Sequence, residues 1–481
     1  MTHRTYLQVE NVSSRVVSTD KDICRILHES LRFRPKNYWH SELYKKKRWD
    51  GWKDFFNKKS GKFPTGLLPE VRGALKALKK PYTLVDHRKP IIWQRQSVDE
   101  NFLNNWLPAD KDPIILHDYQ PDLVNNCIRY SRGIVQAPTA AGKTFILVSL
   151  LKCLPPKTPT LFVTKNASLV HQNYEEMKEW GVENLGRWYG NYKEPNYVMC
   201  VTSHVQSFKS IEKLLPKFKV LFVDEVHDCV SDVPVAAYKK MKSCTVRIGF
   251  SATPFKWNKK KIDEVHKHTV KGNFGPRLKT STVESGFLTT KELQDRGILS
   301  KSNCTFYPIT NPDLTHEPYQ DAVKLGIEQN FHFHEFVSKL AKSRLGRTLI
   351  VVERIEQGEY LKQLMPDAYW IQGKVSLKKR VPVINSLKKG EKCIAIIMRP
   401  IITAGINVKI HDLINAAGGE GAHNVIQQMG RGLRTSKDKE ILQYHDFHFL
   451  INDYLKKHSE WRMEVLRKEG HDVTVKTELE L

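Results

Sequence analysis

The sequence predicts an α/β protein in which two tandem parallel-sheet domains follow a small, basic α+β domain at the N-terminus. Short apolar runs alternate with amphipathic stretches from about residue 113 onward, which is typical of parallel strands joined by helices. The alternation pauses between about residues 275 and 302 and then resumes, so two such domains are expected. The first 110 residues differ, because they hold 22 Lys and Arg against 12 Asp and Glu, a surplus of 10 within the formal net charge of +25.

These observations place the three predicted domains at residues 1–110, 111–298 and 299–481. The first α/β domain is predicted to contain strands at 133–136, 160–164, 197–202, 219–226 and 246–251, with helices at 143–154 and 168–180. In the second, strands are predicted at 348–352, 393–398 and 413–417, and helices near 357–364, 376–387 and 424–433. The segment after residue 451 is predicted to be helical.

Composition narrows the class of protein. With 481 residues, 40% of them hydrophobic and 27% charged, the chain has the composition of a folded protein. It has no apolar run of the roughly 18 residues that span a bilayer, and its first residues lack an apolar signal core, so we expect a cytoplasmic protein (host cytoplasm if phage-encoded). Eight scattered cysteines without a Cys-x-x-Cys pair argue against a zinc ribbon or disulfide framework. The positive surplus favours a polyanionic partner, most often nucleic acid.

Residues 31–62, which we call the basic aromatic segment, interleave cationic and aromatic side chains. Such a pattern suits phosphate neutralisation combined with base stacking. Aromatics buried in a core beside a solvated lysine face would produce the same pattern, and this alternative stays open. The nucleic-acid contacts that we predict here are Arg32, Arg34, Lys46, Arg48 and Trp49.

Residues 137–144 read Ala-Pro-Thr-Ala-Ala-Gly-Lys-Thr and lie between an apolar strand and an apolar helix. This is a phosphate-binding loop with Ala in place of the usual first Gly. Backbone N–H groups and the helix N-terminus would face the phosphates, Lys143 would neutralise them, and the Thr144 hydroxyl would bind Mg²⁺. The nucleotide-binding residues predicted in the loop are Pro138, Thr139, Ala140, Ala141, Gly142, Lys143 and Thr144.

The apolar strand at residues 220–223 runs directly into Asp224-Glu225-Val226-His227. Carboxylates at the carboxyl end of a parallel strand lie where ligands bind in such folds. Asp224 is placed to hold Mg²⁺, and Glu225 to polarise the water that attacks the γ-phosphate. An acidic turn alone would be unremarkable, but together with the phosphate loop it predicts an NTPase.

Three further motifs indicate which NTPase this is. His117-Asp118-Tyr119-Gln120 precedes the phosphate loop, Ser251-Ala252-Thr253-Pro254 follows a strand, and residues 427–434 read Gln-Gln-Met-Gly-Arg-Gly-Leu-Arg. In this order the set resembles the DExH-type superfamily 2 helicases and translocases over residues 113–450. The resemblance implies two tandem RecA-like domains and nucleic-acid-stimulated ATP hydrolysis with ATP and Mg²⁺.

The resemblance also assigns roles residue by residue. Gln120 would read the adenine edge, with Tyr119 or His117 near the ring. His227 and Gln427 would couple the two RecA-like domains, and Arg431 and Arg434 would supply charge to the transition state as arginine fingers. Gly405 lies in a motif of nucleotide contact or domain coupling, in which Asn407 stands where the family has Asp. The backbone contacts to nucleic acid that the resemblance implies are Thr164, Asn166, Thr202, Ser203, Gln206, Gly373, Lys374 and Thr403.

Within the superfamily, the chain is similar to bacteriophage recombination and branch-migration helicases, which share an Arg-x-Arg and a Trp-Asp-Gly in a small basic N-terminal module. Here these are Arg32-Phe33-Arg34 and Trp49-Asp50-Gly51. The resemblance implies a DNA-stimulated helicase that remodels forks and Holliday junctions in recombination, repair or replication restart. It would act as a monomer, with recombination or replication proteins as candidate partners. An RNA helicase, or a non-catalytic nucleic-acid clamp with a vestigial nucleotide pocket, are the alternatives.

Overall fold

The computed structural model describes residues 4–107, 112–258, 261–372, 392–403, 410–433 and 441–480. The chain divides into two compact units. The first comprises Met1–Ala137 and Gly142–Leu288, and the second comprises Pro138–Ala141 and Thr289–Leu481. The division into three domains at residues 110 and 298 stays a prediction.

The first unit begins with a four-stranded sheet that has its own helices. Its elements are β1 (Thr5–Val9), β2 (Ser13–Ser18), α1 (Lys21–Ser30), β3 (Arg32–Phe33), α2 (Glu42–Lys45), β4 (Lys53–Asp54), β5 (Lys62–Pro64), α3 (Leu68–Ala77) and β6 (Thr83–Asp86). The sheet order is β5-β2-β1-β6, in which β1 pairs antiparallel with β2 and parallel with β6, while β3 and β4 form a separate two-stranded ribbon. This is the small α+β fold that the sequence predicts.

Residue spacing explains how this sheet buries one face. Side chains along β1 alternate between buried and accessible, so Leu7 and Val9 point into the core. Helix α1 contributes Ile23 and Leu27, which are one turn apart on a single face, and Phe63 comes from β5. The N-terminal sheet therefore has a hydrophobic core of its own.

A seven-stranded sheet forms the rest of the first unit. The elements are α4 (Tyr119–Tyr130), β7 (Arg132–Gln136), α5 (Lys143–Cys153), β8 (Thr160–Thr164), α6 (Ala167–Glu179), β9 (Leu185–Tyr189), β10 (Tyr192–Lys193), β11 (Val198–Thr202), α7 (Val205–Ser210), β12 (Val220–Val223), α8 (Asp232–Lys240), β13 (Val246–Ser251), β14 (Trp257–Asn258), β15 (Lys261–Ile262) and α9 (Glu264–Phe274). The order is β10-β9-β11-β8-β12-β13-β7, and every pair except β10–β9 is parallel.

The N-terminal sheet packs on helix α9. Gly66 approaches this helix so closely that a Cβ atom there would lie 1.9 Å from the Lys271 carbonyl oxygen. Lys271 also forms an ion pair with Glu70, and the Phe33 ring stacks on His268 with 4.1 Å between the ring centroids. The N-terminal module and the seven-stranded sheet are thus joined by backbone contact, charge and ring stacking.

The second unit contains another seven-stranded sheet. Its elements are α10 (Thr290–Asp295), β16 (Lys301–Ile309), α11 (Tyr319–Val323), α12 (Phe331–Ser343), β17 (Thr348–Val352), α13 (Ile355–Leu364), β18 (Tyr369–Ile371), β19 (Ile394–Met398), α14 (Arg399–Thr403), β20 (Asp412–Asn415), α15 (Ala422–Gly432), β21 (Ile441–Phe449), α16 (Asp453–Lys468) and β22 (Asp472–Val475). The order is β18-β19-β17-β20-β21-β16-β22, with all pairs parallel.

Central strands of both large sheets are buried along their whole length. In β8, β11, β12 and β13 of the first unit, and in β17 and β20 of the second, every residue is buried. Helices covering both faces of a parallel sheet produce such strands, and they read in the sequence as continuous apolar runs. The predicted architecture of two parallel sheets is confirmed. The helix predicted near residues 376–387 lies outside the described residues.

Candidate active site

Five loops leave the carboxyl ends of five neighbouring strands in the first unit. The strand order β11-β8-β12-β13-β7 is fixed by the paired residues Thr202 with Thr164, Val163 with Val223, Val223 with Gly249, and Ser251 with Gln136. Because these strands are parallel, the loops that follow them lie along one edge, where ligands bind in open α/β sheets. The phosphate loop, the Ser-Ala-Thr motif and the acidic box follow β7, β13 and β12. The predicted nucleic-acid segments follow β8 and β11.

The phosphate loop has the backbone of an anion-binding turn. Ala140 and Gly142 both adopt the left-handed region, with φ of 70° and 76°, and the Ala141 N–H donates to the Pro138 carbonyl over 3.1 Å. Helix α5 starts at Lys143, so its N-terminal N–H groups open onto the loop. The Lys143 ammonium donates to the Ala137 carbonyl at 3.3 Å, which holds it across the base of the turn.

Gln120 lies against this loop. A Cβ atom on Gly142 would be 2.2 Å from Gln120 Nε2, so only glycine permits this approach at the observed φ. The Gln120 side-chain oxygen accepts from the His117 N–H at 2.9 Å, which fixes the orientation of the amide. Tyr119 is fully buried, whereas the His117 ring is exposed and stacks on it. Of the two, His117 is therefore the ring available to a nucleotide.

The Thr144 hydroxyl has a partner that sequence reasoning missed. It donates to Glu176 Oε2 over 3.0 Å, and Gln172 donates to the other oxygen of the same carboxylate at 2.8 Å. Because the proton of Thr144 points to Glu176, the oxygen lone pairs remain for Mg²⁺. Glu176 and Gln172 sit one helical turn apart on α6 and belong to none of the predicted motifs, so no spacing signal identifies them.

The acidic box follows β12 with a strained residue at its centre. Glu225 has a φ of 46°, a conformation that costs a non-glycine residue of the order of 1–3 kcal/mol and is concentrated at functional sites. Its backbone carbonyl accepts from the Asp228 N–H at 2.8 Å, and the Val226 N–H donates to Phe250 on β13. These bonds hold the Glu225 carboxylate at the edge of the sheet.

His227 links the acidic box to the Ser-Ala-Thr motif within the first unit. Its Nδ1 is 2.8 Å from the Ser251 hydroxyl, and Ser251 in turn lies 3.5 Å from Glu225 Oε2. Burial lowers the pKa of His227, and the nearby Glu225 and Asp228 carboxylates offset this only in part. The ring at this position provides a fixed hydrogen bond between the two motifs.

In the described residues no group of three or more His, Cys, Asp or Glu side chains is arranged as a metal site. A cation held by one carboxylate, one hydroxyl and substrate phosphates does not need such a group, and Mg²⁺ is bound in this way in phosphate-processing sites. The donor set of Thr144 and Asp224 fits Mg²⁺.

The predicted nucleic-acid segments after β8 and β11 differ in what they present. The Thr164 and Thr202 side chains are buried, and their hydroxyls bond to the Asn166 carbonyl and to Ser207. Asn166, Ser203 and Gln206 are accessible, although Asn166 Oδ1 also caps helix α6 by accepting from the Leu169 N–H. Accessible polar groups at this edge are thus supplied by the latter three residues.

Comparison with known proteins gives the same assignment as the motifs. Residues 113–256 match the family model of the type III restriction enzyme, res subunit. The DNA 3'-5' translocase XPB2 of Sulfurisphaera tokodaii is 24% identical over 428 residues, which cover 80% of this chain and 92% of that protein. The ATP-dependent DNA helicase uvsW of Enterobacteria phage T4 is 21% identical over 384 residues, 73% of each chain.

The chain is similar to the superfamily 2 helicases and resembles UvsW. It uses ATP, as its matched helicase domain and motifs require. Its fold is also that of a fragment of a putative HsdR subunit of a type I restriction enzyme from Vibrio vulnificus YJ016. That structure has a TM-score of 0.55 and 16% identity, covering 79% of the helicase and 72% of the fragment.

For several predicted residues of the helicase, the side chain or the whole residue lies outside the described part of the chain. Helix α15 contains Gln427 and Arg431, and α14 ends at Thr403. The side chains of these three residues, and the whole of Arg434, Gly405, Gly373 and Lys374, lie outside the described residues. Their assigned roles stay predictions.

In the N-terminal module of the helicase, the basic aromatic segment is built around Trp52. The guanidinium groups of Arg32 and Arg34 each lie 4.7 Å from the Trp52 ring centroid, and Arg34 also covers the Tyr38 ring. Arg32 forms a 2.7 Å ion pair with Asp50. These contacts order the segment and use part of its charge internally.

Other members of the segment remain accessible. Trp39 is 51% exposed, and Lys46, Lys47 and Arg48 are exposed as well. Trp49 is half-buried, and its indole N–H donates to the Trp52 carbonyl at 2.7 Å. The segment thus presents the half-exposed Trp39 ring, which contacts Tyr38 and His40, together with exposed cations, whereas its Phe55 and Phe56 are buried in the core.

In the described residues, no helix has the length and apolarity needed to cross a membrane.

Proposed function

We propose that this helicase is an ATP-dependent DNA translocase that remodels branched DNA, such as forks and Holliday junctions, in recombination, repair or replication restart. The printed names of XPB2 and uvsW support DNA as its substrate. The basic aromatic segment supports a branched DNA substrate. Its cations and aromatic rings would form a second polyanion-binding surface, in addition to the loops at the sheet edge. A branched substrate offers more than one arm to such a protein.

Hydrolysis would proceed at the edge formed by β7, β12 and β13. Lys143 and the N–H groups of the loop would hold the phosphates, while Glu225 would orient and deprotonate the attacking water. Mg²⁺, held by Thr144 and Asp224, would neutralise charge at the β- and γ-phosphates. Arg431 and Arg434 are proposed to stabilise the transition-state charge.

Strand contact would come from the neighbouring loops after β8 and β11. Accessible groups on Asn166, Ser203 and Gln206 would bind the backbone without reading sequence. His227 joins the acidic box to Ser251, and it is proposed as the residue that carries changes of the ATP site to the rest of the edge. We also propose that the protein works as a monomer.

The exposed Trp39 carries the proposal, since an unburied tryptophan beside exposed cations suits an unstacked base or a junction surface. The test measures binding to a fork and to a single strand for Trp39→Ala and Arg48→Ala. Stacking of a base contributes about 1–3 kcal/mol, so Trp39→Ala should weaken fork binding by roughly 5- to 150-fold while basal ATP hydrolysis persists.

Tyr454→Ala is the matched control, because Tyr454 is 53% exposed on helix α16 of the second unit. Point variants are preferable to deletion of residues 1–110, since deletion would uncover the surface of α9 that contacts Gly66 and Glu70. Fork binding that is unchanged by both Trp39→Ala and Arg48→Ala would contradict a substrate-binding role for the segment.

A further inference from the structure

Asp228 lies between two lysines, one inside the predicted nucleic-acid segment after β8 and one outside the predicted motifs. Its carboxylate oxygens are 2.8 Å from the Lys165 ammonium and 3.1 Å from the Lys256 ammonium. Lys165 follows β8 and Lys256 follows β13, the strands on either side of β12. One carboxylate after the acidic box therefore gathers two cations from the neighbouring loops of the sheet edge.

Both lysines are accessible, whereas the carboxylate is mostly enclosed. The side chains of Lys165 and Lys256 are 55% and 44% exposed, and that of Asp228 is 20% exposed. Because both ammonium groups are accessible, an incoming anion can reach them and compete with the carboxylate for them.

Asp228 keeps its negative charge at this position. Burial by itself would raise its pKa, but His227, Lys165 and Lys256 outweigh burial and hold the pKa of Asp228 well below its ordinary value. The carboxylate thus carries one negative charge and two acceptor oxygens, as a backbone phosphodiester does, and it holds the two ammonium groups as a phosphate would.

The backbone of each lysine is fixed beside the nucleotide-binding motifs. The Lys256 N–H bonds to His266 Nδ1, and the other ring nitrogen of His266 bonds to the His227 carbonyl at 2.8 Å. The Lys165 carbonyl lies 3.4 Å from the Ser203 hydroxyl, one of the accessible groups after β11. The two cations are therefore attached both to the acidic box and to the proposed strand-binding loops.

Asp228 is also connected to the ATP site, through its neighbour His227. Its Oδ2 is 3.6 Å from His227 Nε2, and His227 Nδ1 meets Ser251, which neighbours Glu225. If a strand phosphate binds Lys165 and Lys256, Asp228 loses its ion pairs with both lysines but retains its contact with His227. Strand binding then changes the charge beside the residue that positions Ser251 and Glu225.

We infer that Lys165 and Lys256 bind the nucleic-acid backbone, and that Asp228 is an internal phosphate mimic which holds both lysines until a strand phosphate displaces it. Asp228 is thus a positioning residue that couples strand binding to ATP hydrolysis through His227. This inference rests on the proposed action on nucleic acid, but it does not depend on whether the preferred substrate is forked.

The test compares Lys165→Gln, Lys256→Gln and Asp228→Asn in the full chain. The measured quantities are the concentration of a single-stranded oligonucleotide that gives half-maximal ATPase stimulation, its salt dependence, and the ratio of maximal to basal turnover. Each lysine variant should raise the half-maximal concentration and reduce the logarithmic salt slope by about 0.7. Asp228→Asn should lower that concentration by up to about fivefold and reduce the stimulation ratio.

Lys240→Gln is the matched control, because Lys240 is a half-exposed lysine paired with Glu212 on helix α8, away from this edge. Thermal melting of all four variants shows that the chain still folds. Salt slopes unchanged in both lysine variants would overturn the assigned contacts. Unchanged half-maximal concentration and stimulation in Asp228→Asn would overturn the phosphate mimic.

Failure of this inference can be distinguished from failure of the proposed DNA substrate. If RNA stimulates ATP hydrolysis where DNA does not, the DNA proposal fails, and the same three variants are then assayed with an RNA strand. In that assay the predicted directions for Lys165, Lys256 and Asp228 are unchanged.

Discussion

At the scale of single residues, the ATP site combines backbone strain with fixed hydrogen bonds. Glu225 is held in a left-handed conformation, and Gly142 occupies a position where any side chain would strike Gln120. Such positions persist only where the surrounding contacts over-determine them. Here the contacts come from adjacent strands β12 and β13 and from the start of helix α4.

Glu225→Gln should abolish most ATP turnover while nucleotide binding persists. The amide keeps the size of the side chain but cannot accept a proton from the attacking water, and general-base catalysis contributes about 10²–10⁴-fold.

Lys143→Ala should also stop turnover, with loss of nucleotide affinity, because the phosphate charge is no longer neutralised. Steady-state ATPase assays and binding of a fluorescent nucleotide separate the two effects.

Glu212→Gln serves as the control, because Glu212 is an exposed carboxylate in an ion pair with Lys240. Full turnover in both Glu225→Gln and Lys143→Ala would show that the proposed ATP site is not the one in use.

At the scale of elements, a buried ion pair joins helix α16 to strand β21. Arg462 donates two bonds of 2.8 Å to Asp446, and both residues are buried. Asn415 and Tyr444 donate to the same carboxylate. The charge of Asp446 is thereby fully compensated inside the second unit.

Arg462→Met should destabilise the second unit by about 3–5 kcal/mol, because it leaves the Asp446 carboxylate buried without its cation. For a unit of this size, this corresponds to a fall in melting temperature of roughly 6 °C or more. Arg467→Met, on the exposed side of the same helix, should change the melting temperature little. Equal melting temperatures for the two variants in differential scanning calorimetry would contradict the assigned role of the pair.

Most of the elements that position the ATP site could be predicted from sequence, because buried parallel strands read as apolar runs and their ends carry the motifs. Strands β16 and β21 could not, since polar residues such as Asn303, Gln443 and Asp446 interrupt their pattern. Their pairing over nine residues is a long-range contact that no local signal records.

The same limit applies within the site. Lys143, Asp224 and Glu225 belong to contiguous motifs, so spacing predicts them as site residues. Glu176 contacts Thr144, and Asp228 contacts Lys165 and Lys256, which are distant in sequence and follow other strands. Burial of the Thr164 and Thr202 hydroxyls likewise follows from packing, which a motif does not encode.

At the scale of the whole molecule, buried histidines make stability depend on pH. Burial lowers the pKa of His334 to about 4 and that of His471 to about 4. His334 Nε2 donates to the Ile327 carbonyl, and its Nδ1 has no hydrogen-bond partner in the described part of the chain. The neutral ring therefore fits the site and the charged ring does not.

The free energy of unfolding should fall as the pH drops from about 6.5 towards 4. In this window the unfolded chain binds a proton at each histidine and the folded chain does not, so acid favours unfolding; below pH 4 the contribution is constant. Each histidine lowers the free energy of unfolding by about 3 kcal/mol at most, so the two together account for several kcal/mol.

Chemical unfolding at pH 7, 6, 5 and 4 measures this dependence. His334→Gln should flatten the pH profile, whereas His332→Gln, at a highly exposed position on the same helix, should leave it unchanged. An identical profile for wild type and His334→Gln would show that His334 does not carry the effect.

We propose above that this protein is a nucleic-acid-stimulated ATPase that acts on branched DNA. The most direct measurement compares the rate of ATP hydrolysis with forked DNA, plain single-stranded DNA and single-stranded RNA at equal nucleotide concentration and fixed salt. We expect the highest rate with the fork, a lower rate with the single DNA strand and the lowest with RNA. Equal stimulation by all three would contradict the claim.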